Sequence, residues 1–196
     1  MKHKLKVTLN APVTLCFVAL CFVAMLLGKL TGGATDKLLF MTYRASPGSP
    51  LTYIRLFTHV LGHSGWEHFI SNTSFLLLLG PMLEEKYGSD KILKVILITA
   101  LITGLANTIL FPTVALCGAS GVVFAFILLT SFAGFREGEI PITFILVAAI
   151  YIGREIYEGA FVRDNVSNLT HIIGGVVGSV LGYVLNKAPS ADPARR

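Results

Sequence analysis

The segment Gly118-Ala119-Ser120-Gly121 places a hydroxyl between small residues at the start of an apolar stretch. The flanking glycines let another backbone approach this hydroxyl closely, because no side chain blocks the way. The pattern is typical of a nucleophile turn, and it also fits a helix cap followed by small packing residues. A serine is a poor nucleophile until a base within hydrogen-bond reach takes its proton, so a partner must be sought elsewhere.

His171 is the candidate base, because neutral histidine is the usual proton acceptor near neutral pH. Glycines follow it at every fourth position: Gly174, Gly178 and Gly182. Small residues with this spacing form one helix face that another backbone can nearly touch. Gly121 and Ala125 have the same spacing after Ser120, and packing the two faces together would bring Ser120 to His171. The alternative role of His171 is an ordinary hydrogen bond between helices.

His68 and Asn72 lie four residues apart, which places both on one face of a helix. Each can donate a hydrogen bond to a developing oxyanion. A polar pair that stabilises helix packing is the alternative. Each signal is ambiguous alone, but together they supply a nucleophile, a base and oxyanion donors on three different apolar stretches.

The elements that carry these residues belong in a membrane. Hydrophobic residues make up 54% of the 196 residues and charged residues only 14%, against about 25% charged in soluble domains. The net charge of +5 comes from lysines and arginines at the ends of apolar runs. That placement indicates membrane topology and not nucleic-acid binding. The length predicts a single domain over residues 1–186.

Six stretches are apolar and long enough to be spanning helices. They are Pro12 to Leu30, Trp66 to Leu83, Lys91 to Leu110, Ser120 to Phe135, Ile140 to Tyr157 and Val166 to Leu185. A half-apolar stretch, Leu51 to Gly62, is expected to lie at the interface or re-enter the membrane. The fourth stretch is short and opens with the polar serine motif. Its free N–H groups must be satisfied by protein or cavity water, which makes its start a suitable place for a polar site.

Lysine and arginine placement predicts that both termini are cytoplasmic, with ten such residues inside and six outside. The basic segment 1–10 would then be cytoplasmic, and residues 187–196 would form a polar, disordered cytoplasmic tail. We expect no metal and no cofactor. His59, His63 and His68 cluster in the sequence, but the chain has no HExxH motif and no carboxylate at ligand spacing. His59 and His63 are instead expected to face the first loop or a water cavity.

In order and spacing these residues resemble the rhomboid family of intramembrane serine proteases, in its minimal six-helix bacterial form. The resemblance covers about residues 12–186. It rests on His68-Phe69-Ile70-Ser71-Asn72 for the HxxxN motif, on Gly118-Ala119-Ser120-Gly121 for GxSG, and on His171 followed by Gly174 and Gly178.

The resemblance implies an all-α bundle of six transmembrane helices, in which a short central fourth helix carries the nucleophile. It implies a dyad of Ser120 as nucleophile and His171 as general base, without a carboxylate third member. The oxyanion hole would comprise His68, Asn72 and the backbone of Ser120 and Ala119. The residues packing the helices at the site would be Gly118, Gly121, Phe124, Ala125, Gly174 and Gly178. The enzyme would act on transmembrane protein substrates in the lipid bilayer of a bacterial cytoplasmic membrane.

Two positions depart from the family pattern. Ile54 precedes Arg55 where the first-loop motif usually has tryptophan, and Phe124 stands where well-known members have a tyrosine under the catalytic histidine. Glu85 and Gly88 resemble structural positions after the second span. The competing functions are an inactive relative that binds membrane proteins without cutting them, and a small transporter or channel. The inactive relatives lose the serine or histidine that this chain retains, and no paired polar half-helices indicate a transporter.

Overall fold

The computed structural model describes residues 8–132, 139–161 and 165–187, and these fold into seven α-helices. The helices are α1 Pro12–Leu30, α2 Pro50–Thr58, α3 Trp66–Tyr87, α4 Ser89–Leu110, α5 Ser120–Ser131, α6 Ile142–Phe161 and α7 Asn165–Lys187. A π-helical turn, Asp36–Phe40, precedes α2, and a 3₁₀ turn, His59–Leu61, follows it. The described residues contain no β-strand, only one isolated bridge between Thr42 and Leu116. The predicted all-α class is confirmed.

A helix occupies each of the six stretches predicted to span the membrane, and α2 occupies the half-apolar stretch between the first two. Within the described ranges, α1, α4 and the Asn168–Asn186 part of α7 are long and apolar enough to cross a membrane. The helix α5 is apolar but shorter, as is Ile142–Tyr151 in α6. The helix in the fourth predicted stretch is α5, which ends at Ser131 and not at Phe135. Residues 133–138 lie outside the described part. The basic N-terminal residues 1–7 and the predicted tail from 188 onward also lie outside it.

The outward faces of the helices carry large apolar side chains. Leu78 on α3, Ile109 on α4 and Ile150 on α6 are each more than 60% exposed. A surface of this kind is unfavourable in water and is satisfied by lipid. The backbone polar groups are satisfied within the helices, as hydrocarbon requires. The chain is therefore an integral membrane protein.

A buried carboxylate joins α1 to α3. Pro12 occupies the first turn of α1, where its missing N–H costs nothing. The next two backbone N–H groups, of Val13 and Thr14, donate to Glu84 at 3.2 and 2.6 Å. The hydroxyl of Ser89 donates to the same carboxylate at 2.8 Å. Glu84 thus caps a helix start that has no side-chain cap of its own.

The structural position that the sequence analysis assigned to Glu85 is occupied by the adjacent Glu84. Glu84 is 5% exposed and makes these contacts, whereas the neighbouring Glu85 is exposed. One residue corresponds to about 100° of helix rotation, so the two carboxylates point to different faces of α3. Gly88 ends α3 at φ 87°, a backbone conformation that glycine adopts without strain.

The centre of the bundle is α5. Val122, Phe126, Leu128 and Leu129 show no exposed surface, and most of the other side chains of this helix are also buried. A helix that is apolar on all sides is stable only when other helices surround it. The most extensive of its contacts is with α7, and α3, α4 and α6 also contact it. Ser120, at its N-terminus, is therefore held by a helix that is fixed on several sides.

Candidate active site

Ser120 is the first residue of α5 and is partly exposed, while its neighbours Ala119 and Gly121 are buried. Gly118 has φ 134°, so the turn before the serine requires glycine. The Gly118 N–H donates to the His59 carbonyl at 2.9 Å. The turn thus presents a hydroxyl at a helix N-terminus, where free N–H groups favour negative charge.

The helices α5 and α7 approach through their small residues. A Cβ added at Gly174 would lie 2.9 Å from the Gly121 Cα, and one added at Gly178 would lie 2.6 Å from the Ala125 Cα. Real Cβ atoms do not come this close to backbone. The two backbones are therefore in direct contact, and only glycine fits at both positions of α7.

His171 lies against the helix that carries Ser120. Its ring stacks on Phe124, with centroids 4.6 Å apart and planes 5° from parallel. Phe124 follows Ser120 by one helical turn, so both lie on the same face of α5. The ring of Tyr151, from α6, also contacts Phe124, with centroids 5.7 Å apart and planes at 89°. Two aromatic contacts thus fix the platform on which the imidazole rests.

His68 borders the serine turn from α3. A Cβ added at Gly118 would lie 2.7 Å from its Cε1 and 2.8 Å from its Nε2, so the glycine makes room for this ring. Its Nδ1 is 3.2 Å from the Ser64 hydroxyl. The ring of His63 packs edge-on against it, with centroids 5.1 Å apart. His68 is therefore held on two sides with Nε2 directed to the serine turn.

Asn72 lies one turn further along α3 and is 5% exposed. Its Nδ2 is buried and has no hydrogen-bond partner among the described residues. A buried amide without a partner costs free energy, so such a group signals a role other than stability. Here it is a donor on the same helix face as His68.

A cavity of about 420 Å³ opens beside His68. It is lined by Ser64, Gly65, Glu67, His68 and Ser71. These residues are mostly polar, so the cavity admits water to the side of α3 that carries the candidate oxyanion donor. Ser64, Glu67 and Ser71 are exposed, so this cavity is an open pocket at the N-terminal end of α3 that brings water to His68.

The two other histidines of this region, His59 and His63, lie in surroundings that suit a structural role. His59 is 1% exposed, its Nδ1 lies 3.1 Å from the Arg55 carbonyl, and its Nε2 lies 3.3 Å from the Thr103 hydroxyl. The expectation that His59 faces the loop or a water cavity is wrong, because α4 covers it. His63 lines a different cavity, of about 300 Å³, near the end of α1.

Burial lowers the pKa of His63 to about 4, helped by the neighbouring His68. It is therefore neutral at ordinary pH. Within the described ranges, no three His, Cys, Asp or Glu side chains come together closely enough to hold a metal ion.

The first loop is fixed by Arg55 of α2. Its Nε donates to the Leu38 carbonyl at 2.9 Å, and its guanidinium lies 4.6 Å from the centroid of the Tyr43 ring. The preceding Ile54 is 45% exposed. The arginine therefore anchors the loop without a neighbouring tryptophan.

Sequence reasoning missed Ser64, Tyr151 and the His59 carbonyl. Ser64 precedes His68 by four residues, and that spacing was the available signal. The contact of Tyr151 with Phe124 depends on how α6 lies against α5, which no local pattern reveals. The His59 carbonyl is a backbone group, so its contact with Gly118 leaves no trace in residue types.

Comparison with known proteins identifies the family. The family model described as the rhomboid domain matches residues 50–188. Rhomboid-related protein 2 of Mus musculus is 32% identical over 158 residues, which are 70% of this chain and 52% of that protein. Rhomboid protease GlpG of Haemophilus influenzae is 28% identical over 179 residues, 89% of this chain and 91% of that protein.

Rhomboid-like protein 11, chloroplastic, of Arabidopsis thaliana is 26% identical over 144 residues, 66% of this chain and 51% of that protein. The chain thus spans about half the length of the mouse and Arabidopsis relatives and nearly all of the bacterial one.

Proposed function

The chain belongs to the rhomboid family, and we propose that it is a serine endopeptidase that hydrolyses peptide bonds in or near transmembrane segments of other membrane proteins. One observation supports this most strongly. His171 stacks on Phe124, one helical turn from Ser120, where α5 and α7 touch through glycine. A histidine held beside a serine at a helix N-terminus is suited to acyl transfer.

In the proposed first step, the Ser120 Oγ attacks the carbonyl carbon of the scissile peptide bond while His171 takes the hydroxyl proton. The resulting tetrahedral intermediate collapses, the C–N bond breaks, and His171 returns the proton to the leaving amine. An acyl-enzyme on Ser120 remains. Water then attacks the ester carbonyl as His171 takes its proton, and the new carboxyl end leaves as the serine hydroxyl is restored.

The negative oxygen of each intermediate would be stabilised by donors around the turn. When the Ser64 hydroxyl donates to the Nδ1 of His68, the imidazole proton is on Nε2, the ring nitrogen that faces Gly118. The unpartnered Nδ2 of Asn72 supplies a second donor. The backbone N–H groups of Ala119 and Ser120 complete the set, because a helix start leaves them free.

The proposed dyad works without a carboxylate. Such a group usually orients the imidazole and stabilises its charged form. Here the parallel ring of Phe124 would orient the imidazole, and a π-face is also attractive to the transient imidazolium. The free hydroxyl of a tyrosine is not needed for either effect.

The substrates we propose are membrane proteins that reach the site through the bilayer, because the outer faces of the helices are apolar. Lysine and arginine placement supports cytoplasmic termini, and the match over nearly the whole length of a bacterial relative supports a bacterial cytoplasmic membrane. The alternative is an inactive relative that binds such proteins. Retention of both Ser120 and His171 favours the enzyme.

The test is cleavage of a single-span protein in liposomes that contain the purified chain. We expect cleavage by wild type and none by Ser120→Ala or His171→Ala. Ser131→Ala is a matched control at the other end of α5, where the hydroxyl donates to the Ile127 carbonyl of its own helix. It should cut at the wild-type rate. Substrate capture without cleavage by wild type would favour the binding protein.

A further inference from the structure

Asn107, in the last turn of α4, is completely buried. Its side-chain amide donates to two loop carbonyls, that of Val114 at 3.0 Å and that of Thr42 at 3.3 Å. One carbonyl belongs to the loop before α5 and the other to the loop before α2. A single side chain therefore joins two loops that are far apart in sequence.

These loops also pair with each other. The N–H of Thr42 donates to the Leu116 carbonyl and the N–H of Leu116 donates to the Thr42 carbonyl, both at 2.9 Å. This is the isolated antiparallel bridge of the described residues. The Thr42 carbonyl accepts from both Leu116 and Asn107, so this oxygen attaches the bridge to α4, as does the Thr42 hydroxyl, which lies 3.4 Å from that of Thr108.

The bridged loop leads directly into the serine turn. Leu116 precedes Ser120 by four residues, and between them the N–H of Gly118 is held by the His59 carbonyl. The segment 114–118 is thus fixed at three points, of which Asn107 supplies the first. Because Gly118 has a left-handed φ of 134°, displacement of the segment before it would change the direction of the following N–H groups.

The chemistry of the amide explains why this position is asparagine. Its Oδ1 is buried and has no hydrogen-bond partner among the described residues, which costs free energy. The orientation is fixed, since the opposite one would place Oδ1 against two carbonyl oxygens. An apolar side chain of similar size would avoid the unpartnered oxygen but would leave both loop carbonyls short of a donor. The residue is therefore best explained by what it donates.

We propose that Asn107 is a positioning residue for catalysis: through its two donors and the Thr42–Leu116 bridge, it holds the loop that sets the oxyanion-binding backbone and the hydroxyl of Ser120. This inference rests on the proposed function of Ser120. It predicts an effect on the chemical step and not on substrate binding, because Asn107 lies behind the loop, buried under it.

The experiment compares Asn107→Asp with wild type in one detergent. The carboxyl group has the same shape but loses the two amide donors that the loop carbonyls accept. We expect the maximal rate at which a fluorophosphonate modifies Ser120 to fall at least tenfold, with kcat on a transmembrane substrate falling equally and KM unchanged. A displacement of about 1 Å can cost roughly a hundredfold when reacting groups must align.

Two controls separate positioning from stability. Ile92→Val removes one methyl at the other end of α4, where the side chain is fully buried; it should lower the melting temperature and leave labelling unchanged. Leu116→Pro removes the bridge N–H without touching α4, and it should reproduce the kinetic loss of Asn107→Asp even where that variant is poorly folded. The double variant should lose no more than either single variant.

The outcomes are distinguishable. In one outcome, wild type is labelled at Ser120, and folded Asn107→Asp and Leu116→Pro are labelled at the same rate. This result would overturn the positioning role and leave the protease proposal intact. A rise in KM with kcat unchanged would assign Asn107 to substrate binding, which also overturns it. Wild type that never labels at Ser120 would overturn both proposals together.

Discussion

The imidazole of His171 and the phenyl ring of Phe124 lie parallel, 5° apart in plane and 4.6 Å apart in centroid. One belongs to α7 and the other to α5, so this contact links the proposed base to the helix that carries the proposed nucleophile. The ring of Tyr151 contacts the same phenyl ring nearly at right angles. The ring is therefore a platform shared by three helices.

Removing the platform should slow cleavage without abolishing it. An aromatic contact contributes about 0.5–1.5 kcal/mol beyond burial. We therefore expect Phe124→Leu to lower kcat about two- to tenfold, whereas Phe124→Tyr, which keeps the ring, should cut at least as fast as wild type. Turnover of one substrate in liposomes measures both. Equal rates for the leucine and wild-type proteins would show that the stack does not orient the base.

Two adjacent glycines of α7, Gly174 and Gly175, allow a matched comparison of substitutions. A methyl group at Gly174 would collide with the Gly121 backbone, whereas one at Gly175 would meet Leu128 side-chain atoms at 3.7 Å, an ordinary contact. We expect Gly174→Ala to force α5 and α7 apart and lower kcat about a hundredfold or more. Gly175→Ala should stay active and keep or raise its melting temperature, since alanine is the better helix former. The reverse order of activities would mean that the wrong face of α7 had been assigned to the site.

Asn72→Ala should separate catalysis from stability. The loss of one oxyanion donor typically costs about 100- to 1,000-fold in kcat. The melting temperature should hardly change, because the buried Nδ2 has no partner to lose among the described residues. Thr73→Val is the control on the same helix. Its hydroxyl bonds to the Phe69 carbonyl, and its removal should leave kcat near wild type. A wild-type rate for Asn72→Ala would assign this amide to packing.

The adjacent glutamates of α3 allow a test of the fold. Glu84→Gln should destabilise the protein by about 1–3 kcal/mol, because the carboxylate accepts hydrogen bonds from two α1 N–H groups and from Ser89. Glu85→Gln, at an exposed position, should be neutral. Unfolding in increasing amounts of a denaturing detergent measures both variants. If both substitutions had the same effect, Glu84 would not cap α1.

The helices could be predicted because their signals are local. Long apolar stretches bounded by polar residues predicted a helix in six places, the structure has a helix in each, and Pro12 to Leu30 agrees with α1 to the residue. The serine turn and the glycine faces were visible because small residues at fixed spacing have a direct meaning for backbone approach. These features depend on residues close together in the chain.

What could not be predicted depends on tertiary packing. The burial of His59 follows from α4 covering it at Thr103 and Gly104, and the choice between Glu84 and Glu85 follows from the rotation of α3 against α1. Asn107 lies 65 residues from Thr42, whose carbonyl it binds. Neither propensity nor periodicity reports on such contacts, so they become visible only in the folded protein.

Identifying the residue that reacts tests the assignment of Ser120 as the nucleophile. Purified protein is treated with a fluorophosphonate, digested and analysed by mass spectrometry, with Ser120→Ala and Ser131→Ala treated in parallel. We predict a single covalent adduct on Ser120 in the wild-type and Ser131→Ala proteins, and none in Ser120→Ala. Equal labelling of wild type and Ser120→Ala, or no labelling of a wild-type protein that is shown to be folded, would contradict the assignment of Ser120 as the nucleophile.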